Sequence, residues 1–435
     1  MSLVAEEKVI NKLNRRLLPI LLISFFVSIL DRTNISIASL QMNEDLALTA
    51  QMFGFGSGIF FISYFIFEVP SNYILERVGA RRWIARIMLT WGIITMATMF
   101  VTGPISFYVL RFLLGAAEAG FYPGVIYYIS TFYPARHRTK ANAIFQIGSP
   151  IAVALGSPIS GLILELDGLW GLRGWQLVFV LEGIPAVILG VIIWFYLTDS
   201  PSKAKWLKPE EIKWLNNELA KEATVKEHVS FFKLIKIPQL ILQSFVYLSI
   251  VVGLYGVTIW LPQIVSQMSG ASNLATSFLS AIPSILAIFG IVILASYAQK
   301  VKKQKKYAII SSVIGAIALV LSAFTGNPWI ALVLLAVAAT GIQAAIPLFW
   351  TLPSSMFFGA TAAAAIAVIN SIGNLGGFVG PYVVGYISDA TGNLQYGLIF
   401  LGIVLFLGAI GLYYMKDNTK KLDDEDESKL DKVTS

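Results

Sequence analysis

Apolar runs of about twenty residues recur from one end of this chain to the other, each long enough to span a bilayer as a helix. No other feature narrows the fold as far. In hydrocarbon every backbone N–H and C=O must find a partner inside the protein, and a helix achieves this within one segment. Composition agrees: 56% of the 435 residues are hydrophobic and 13% are charged, against about 25% charged in a soluble domain. The runs predict twelve spans, near 17–39, 52–73, 83–102, 104–131, 140–164, 176–197, 238–262, 273–297, 307–325, 328–350, 361–386 and 394–415. The expected class is an all-α membrane protein.

The net charge of +7 does not argue for nucleic acid, because the basic residues lie between the apolar runs. They follow the rule that lysine and arginine stay on the cytoplasmic side. With the N-terminus inside, the inner segments collect Lys8, Lys12, Arg15 and Arg16, then Arg77, Arg81, Arg82 and Arg86, then Arg136, Arg138 and Lys140. The basic loops 198–237 and 300–306 are inner as well, and the outer loops hold only Arg173. Both termini are expected in the cytoplasm of a cell with this protein in its inner or plasma membrane. The first run ends in Asp31-Arg32 and not in a small-residue cleavage site, so it reads as a retained first helix.

One long polar connection divides the spans six and six. The expected organisation is a cytoplasmic segment 1–16, a six-helix half 17–197, a linker 198–237 with an amphipathic helical pattern, a second six-helix half 238–415, and a tail 416–435. The halves echo each other. Pro123 and Pro347 both follow small-residue stretches (GAAEAGFYP, GIQAAIP), and Pro158 and Pro381 both sit in glycine-rich runs (ALGSPISG, FVGPYVVG). Such pseudo-symmetry is expected of duplicated transporter folds.

Several chemistries have no basis in these residues. Cysteine is absent, which excludes disulfides and thiolate metal sites. The two histidines, His137 and His228, fall in polar connections. No Gly-Lys dipeptide exists, so there is no Walker A loop. No nucleophile has a convincing activating base, so the chain does not read as an enzyme. No cofactor or metal is expected. Work would come from a gradient: a proton crossing 100 mV releases about 2.3 kcal/mol.

The charges inside the runs are few: Asp31, Arg32, Glu68, Arg111, Glu118 and Glu182, all in the first half. Each costs roughly 2.5–3.5 kcal/mol at a helix centre, so they are expected to face a polar cavity. Arg111 and Glu118 are two turns apart and share a face. Arg32 and Arg111 lie at a similar depth, roughly 10 Å below the outer surface at 1.5 Å per residue. Two guanidiniums at one level suit a carboxylate, which each can hold bidentately. Asp31 and Glu118 stand beside them. Burial and a neighbouring guanidinium pull a carboxyl's proton affinity in opposite directions, so an arriving anion can change its protonation. The competing reading is that the arginines merely neutralise Asp31 and Glu118. Glu68 and Glu182 read as structural. In the second half Tyr255, Trp260, Gln343, Trp350, Asn370 and Asn374 are neutral candidates for substrate contact, the two asparagines sharing a helix face.

Four stretches carry a resemblance: DRTNISIA (31–38), EVPSNYILERVGARRW (68–83), RFLLGAAEAGFYPG with TFYPARHR (111–138), and PLFWTLPSS with INSIGNLGGFVGPYVVGYISDATG (347–392). The chain resembles the major facilitator superfamily over nearly its whole length. Within it, the pattern is similar to the anion:cation symporters, and in particular to bacterial permeases for 4-hydroxyphenylacetate, phthalate, tartrate and sugar acids. The resemblance implies the twelve-helix, two-half major facilitator fold. It implies proton binding at Asp31 and Glu118, carboxylate binding at Arg32 and Arg111, and a cavity lined by Tyr64, Trp350 and Asn370. It also implies a gating loop carrying Glu76, Gly79, Arg81 and Arg82. That loop departs from the family's pattern, with Asn72 for the usual Gly and Glu76 for Asp. Its counterpart YAQKVKKQKK (297–306) has no acidic residue.

The expected function is import of a small organic carboxylate, an aromatic acid or sugar acid, by proton symport with alternating access. Anion exchange or facilitated export on the same fold is the alternative. The expected partners are the organic anion, protons and the bilayer, with no nucleic acid and the carrier acting as a monomer.

Overall fold

The computed structural model describes residues 3–221, 236–356 and 359–416. Among these residues twelve helices are long and apolar enough to cross a membrane. By contacts the chain divides into two compact units, Met1–Leu48 with Ile59–Val225, and Thr49–Gly58 with Lys226–Ser435. His228 and most of the tail lie outside the described residues.

The first unit is built from α1 (Leu3–Asp45), most of α2 (Ala50–Val78), α3 (Ala80–Ala97), α4 (Pro104–Glu118), α5 (Phe121–Phe132), α6 (Ala135–Gln146), α7 (Gly148–Leu164), α8 (Gly174–Tyr196) and α9 (Pro209–Lys221). α1 runs well beyond the expected 17–39, because counting apolar residues finds only the membrane-embedded part of a helix. α3 and α8 approach backbone to backbone: a Cβ at Gly183 would stand 2.9 Å from the Gly92 carbonyl oxygen. Small residues permit this in membranes, where packing rather than water drives helix association.

The expected span 104–131 is not one helix. α4 stops at Glu118, Ala119 has extended ψ, and Gly120 adopts φ 88°. Pro123, in the first turn of α5, has no N–H to bond the carbonyl four residues back. The left-handed Gly120 then restarts the helix, and a side chain there would collide with Ser71. The span at 135–164 is also interrupted, at Ile147, where Pro150 cannot donate to Gln146.

α9 is the amphipathic helix expected in the linker. It buries Leu215 and is tied to α1 by a Lys12–Glu211 pair at 2.9 Å. His137, expected in a connection, lies in the first turn of α6 and meets Glu6 at 2.7 Å.

The second unit comprises α10 (Pro238–Ser269), α11 (Asn273–Lys300), α12 (Gln304–Phe324), α13 (Pro328–Met356), α14 (Gly359–Asn374), α15 (Gly376–Thr391) and α16 (Gln395–Tyr414). α14 and α15 are parted at Leu375, echoing the break at Ile147. α13 runs unbroken through Pro347, unlike the α4–α5 span. Trp260 is core: its Nε1 donates to the Pro381 carbonyl at 3.1 Å, and Phe53 meets it edge-on. Phe53 belongs to Thr49–Gly58, the first turns of α2, which group with this unit. There Ala50 and Gln51 donate backbone N–H groups to the Asp389 carboxylate at 3.0 and 2.9 Å.

Candidate functional site

The first unit gathers its buried charges around α1. Asp31, Arg32 and Asn34 project from the middle of that helix, Thr95 from α3, Arg111 and Glu118 from α4, Ser160 from α7 and Glu182 from α8. Asp31, Arg111, Glu118 and Glu182 are all at most 2% exposed. The close packing of glycines sets this spacing: at Gly115 a Cβ would strike Phe60 and Ser63 of α2, and at Gly148 it would meet the Leu22 carbonyl of α1.

Arg32 Nε donates to Glu118 Oε1 at 2.7 Å, and Ser28 Oγ donates to the same oxygen at 2.7 Å. The other oxygen, Oε2, has no hydrogen-bond partner among the described residues. The Arg32 guanidinium lies 4.9 Å from the Tyr64 ring centroid and 5.5 Å from that of Phe60. It is the accessible member of the pair, 14% exposed against 0% for Glu118.

Arg111 lies with its guanidinium carbon 5.1 Å from the Phe60 centroid. Asp31 and Glu118 are its charged neighbours of opposite sign, yet its Nε and Nη1 have no hydrogen-bond partner among the described residues. A buried guanidinium with open donors is expensive unless an acceptor arrives.

Among the described residues Asp31 hydrogen-bonds no arginine, although Arg111 acts on it through its charge. Its Oδ2 accepts from Thr95 Oγ1 at 2.9 Å and its Oδ1 from Asn34 Nδ2 at 3.4 Å. Ser160 Oγ donates to Glu182 Oε1 at 2.7 Å. The structure therefore brings together Asp31, Arg32, Tyr64, Arg111 and Glu118. It pairs Glu118 with Arg32 and leaves Arg111, its neighbour on α4, to face both carboxylates.

Ser28, Asn34, Thr95 and Ser160 were not anticipated. The first two had a usable signal: Ser28 and Asn34 each lie three residues from Asp31 on α1, as do positions that share a helix face. Trp350, Asn370 and Asn374 stand on the second unit. Trp350 packs on Tyr247 with ring centroids 4.8 Å apart, and both asparagines are half-buried.

The gating-loop residues lie at the turn between α2 and α3. Glu76 and Arg82 are exposed. Gly79 has φ 97°, and a Cβ there would meet the Asp199 carboxylate at 2.7 Å. Asp199 accepts the Arg81 backbone N–H at 3.2 Å and lies 3.6 Å from its Nε. Asp199, in the TDSP stretch after α8, thus caps α3; nothing in the loop's own sequence points to it.

A family model described as Major Facilitator Superfamily matches residues 21–381. The chain is 44% identical to a protein of Agrobacterium vitis named as a putative tartrate transporter, over 93% of this chain and 94% of that one. It is 42% identical to a quinolone resistance transporter of Acinetobacter baumannii, over 94% and 95% of the two chains. Among solved structures, it is similar in fold to a bacterial homologue of the human lysosomal transporter Spinster. That match has a TM-score of 0.77 and 16% identity over 91% of this chain and 95% of that one.

Proposed function

The chain belongs to the major facilitator superfamily, and from that premise we propose that it imports a small organic carboxylate together with protons. It is a multi-pass membrane transporter and not an enzyme. The proposed location is the inner membrane with both termini in the cytoplasm. It works as a monomer, with no cofactor and the proton gradient as its energy source.

One observation carries the reading: the Arg32–Glu118 ion pair beside Arg111, whose donors are open. A substrate carboxylate binds Arg111 through those donors. It also competes for Arg32, whose guanidinium is the accessible side of its pair. With Arg111 engaged by the substrate and Arg32 turned toward it, Glu118 keeps only its hydrogen bond from Ser28, and a carboxylate buried without a free cation takes up a proton. Asp31, held by Thr95 and Asn34 with no guanidinium bonded, is the second proton site. Trp350, Asn370 and Asn374 supply neutral contacts to the rest of the substrate. Glu76, Gly79, Arg81 and Arg82 serve the gating turn.

The A. vitis relative supports a hydroxylated organic acid as substrate; an aromatic acid is the other candidate. Uptake of labelled L-tartrate and 4-hydroxyphenylacetate into proteoliposomes tests the reading. Acidifying the outside is expected to drive accumulation of one of them. Uptake indifferent to the gradient but dependent on an internal counter-anion would establish exchange instead. The A. baumannii relative supports a second reading, export, for which substrate would leave loaded vesicles faster as the outside is acidified.

A further inference from the structure

The proposed cycle uses Asp31 and Glu118 and has no part for Glu182, which the sequence suggested was structural. Its surroundings do not suit a fixed structural anion. Glu182 is 2% exposed, and its Oε1 is held by Ser160. Its Oε2 has no hydrogen-bond partner among the described residues. The charged group that acts on it is Asp31, another carboxyl. Of the helices packed on α8, α7 has no charged residue, and the three arginines of α3 lie in its first two turns. α1 brings Asp31 together with Arg32, which bonds Glu118, and Arg16, which lies over Tyr196 at the far end of α8. Arg111 and Glu118 act on Asp31 from α4, and Glu68 faces Arg32.

Asn34 stands between the two carboxyls. Its amide donates to Asp31 at 3.4 Å and lies against Glu182 without reaching hydrogen-bond geometry. Its Oδ1, also buried, has no donor among the described residues. An asparagine amide offers two N–H donors and one carbonyl acceptor. Between two ionised carboxylates the acceptor has nothing to bind. Between one carboxylate and one carboxylic acid the Oδ1 acceptor and an N–H donor are both engaged. The acid's O–H donates to Asn34 Oδ1, and Asn34 Nδ2 donates to the remaining carboxylate. The charge count agrees. Asp31, Glu118 and Glu182 are three fully buried carboxyls against the two guanidiniums of Arg32 and Arg111, with half-buried Glu68 also facing Arg32, so neutrality requires at least one retained proton.

We propose that Asp31 and Glu182 hold one proton between them across Asn34, which makes Glu182 a third proton-exchanging carboxyl of the site. Two such groups titrate as a pair and not as independent residues. The role of Glu182 in transport rests on the proton-coupled reading above; the shared proton does not.

The test is pH-difference infrared spectroscopy of the purified full-length protein in lipid nanodiscs, without substrate. The wild type is expected to show a protonated-carboxyl C=O band. Glu182→Gln should remove part of that band and displace the midpoint of what remains, and Asp31→Asn should do the same in reverse. Asn34→Leu should keep both carboxyls and abolish their mutual dependence. A Glu182→Gln spectrum that superimposes on the wild type overturns the proposal. Should that variant not fold, Ser160→Ala decides: it keeps Glu182, strips the donor from Oε1, and is expected to shift the band frequency. An unmoved band overturns the proposal. Spectra as expected, with an unchanged pH profile of L-tartrate uptake in Glu182→Gln, would remove Glu182 from transport and leave the shared proton standing.

Discussion

In the first unit the buried polar side chains include Asp31, Arg111, Glu118 and Glu182. In the second, among the described residues, they are Gln243 and the hydroxyls of serine and threonine. Several of the second unit's buried hydroxyls are satisfied within their own helix: Ser244 donates to the Leu240 carbonyl, Ser280 to Thr276 and Ser312 to Ala308, at 2.7–2.9 Å. These bonds join residues four apart and do not depend on what else is bound. The first unit has such bonds too, but each of its buried carboxylates is also held from a different helix: Glu118 by Arg32, Asp31 by Thr95, Glu182 by Ser160. A partner on another helix can be exchanged for a substrate or a proton, whereas a hydroxyl on its own carbonyl has nothing to exchange. The contrast separates the chemistry of a carrier from its packing.

The sharpest way to break this contrast is Arg111→Leu. Two charge-assisted hydrogen bonds to a carboxylate contribute about 1.5–3 kcal/mol each, and each 1.4 kcal/mol is a factor of about ten. Affinity for the transported acid is expected to fall more than about 100-fold, read by thermal shift and by uptake. Binding that survives unchanged would place the anion elsewhere.

Gly120→Ala comes next. It puts a side chain at φ 88° and against Ser71; left-handed strain alone costs on the order of 1–3 kcal/mol. The melting temperature should drop, and Gly168→Ala, at φ 86° with open space around it, should drop it less. Equal losses would mean that the close approach to Ser71 matters little.

Thr95→Val leaves Asp31 Oδ2 without its donor, at a cost of about 1–3 kcal/mol. It should move the pH midpoint of uptake while preserving the saturating rate at the optimum. A midpoint that stays put would separate Asp31 from proton handling.

The smallest effect belongs to the second unit. Ser280→Ala and Ser312→Ala are expected to leave uptake intact and change stability by roughly 0.5 kcal/mol or less. A large loss of transport from either would show that these hydroxyls do more than serve their own helices.

Much of this was legible from the chain. Twelve spans follow from run length alone, since the bilayer sets it. The concentration of charge in the first half also reads directly, because every intramembrane ion stands out against an apolar background. The partners of those ions do not. Arg111 and Glu118 share a helix, which invites pairing them. Whether Glu118 meets Arg32 instead depends on how α1 and α4 are seated, and glycine contacts on their neighbours bear on that: Gly115 seats α4 on α2, and Gly148 seats α7 on α1. The break at Ala119 was hidden because an apolar run carries no periodic signal to lose. Thr95 and Ser160 were hidden for another reason: hydroxyls are common in spans, and most bond their own helix.

Proton uptake on binding tests the exchange at Arg32 most directly. L-tartrate, or whichever acid the uptake assay selects, is added to the purified protein in weakly buffered solution with a pH indicator. Wild-type protein is expected to take up a proton as the anion binds, and Glu118→Gln to bind the anion with that uptake lost or clearly reduced. Equal proton uptake by both would contradict the displacement of Glu118 from Arg32 as the coupling step.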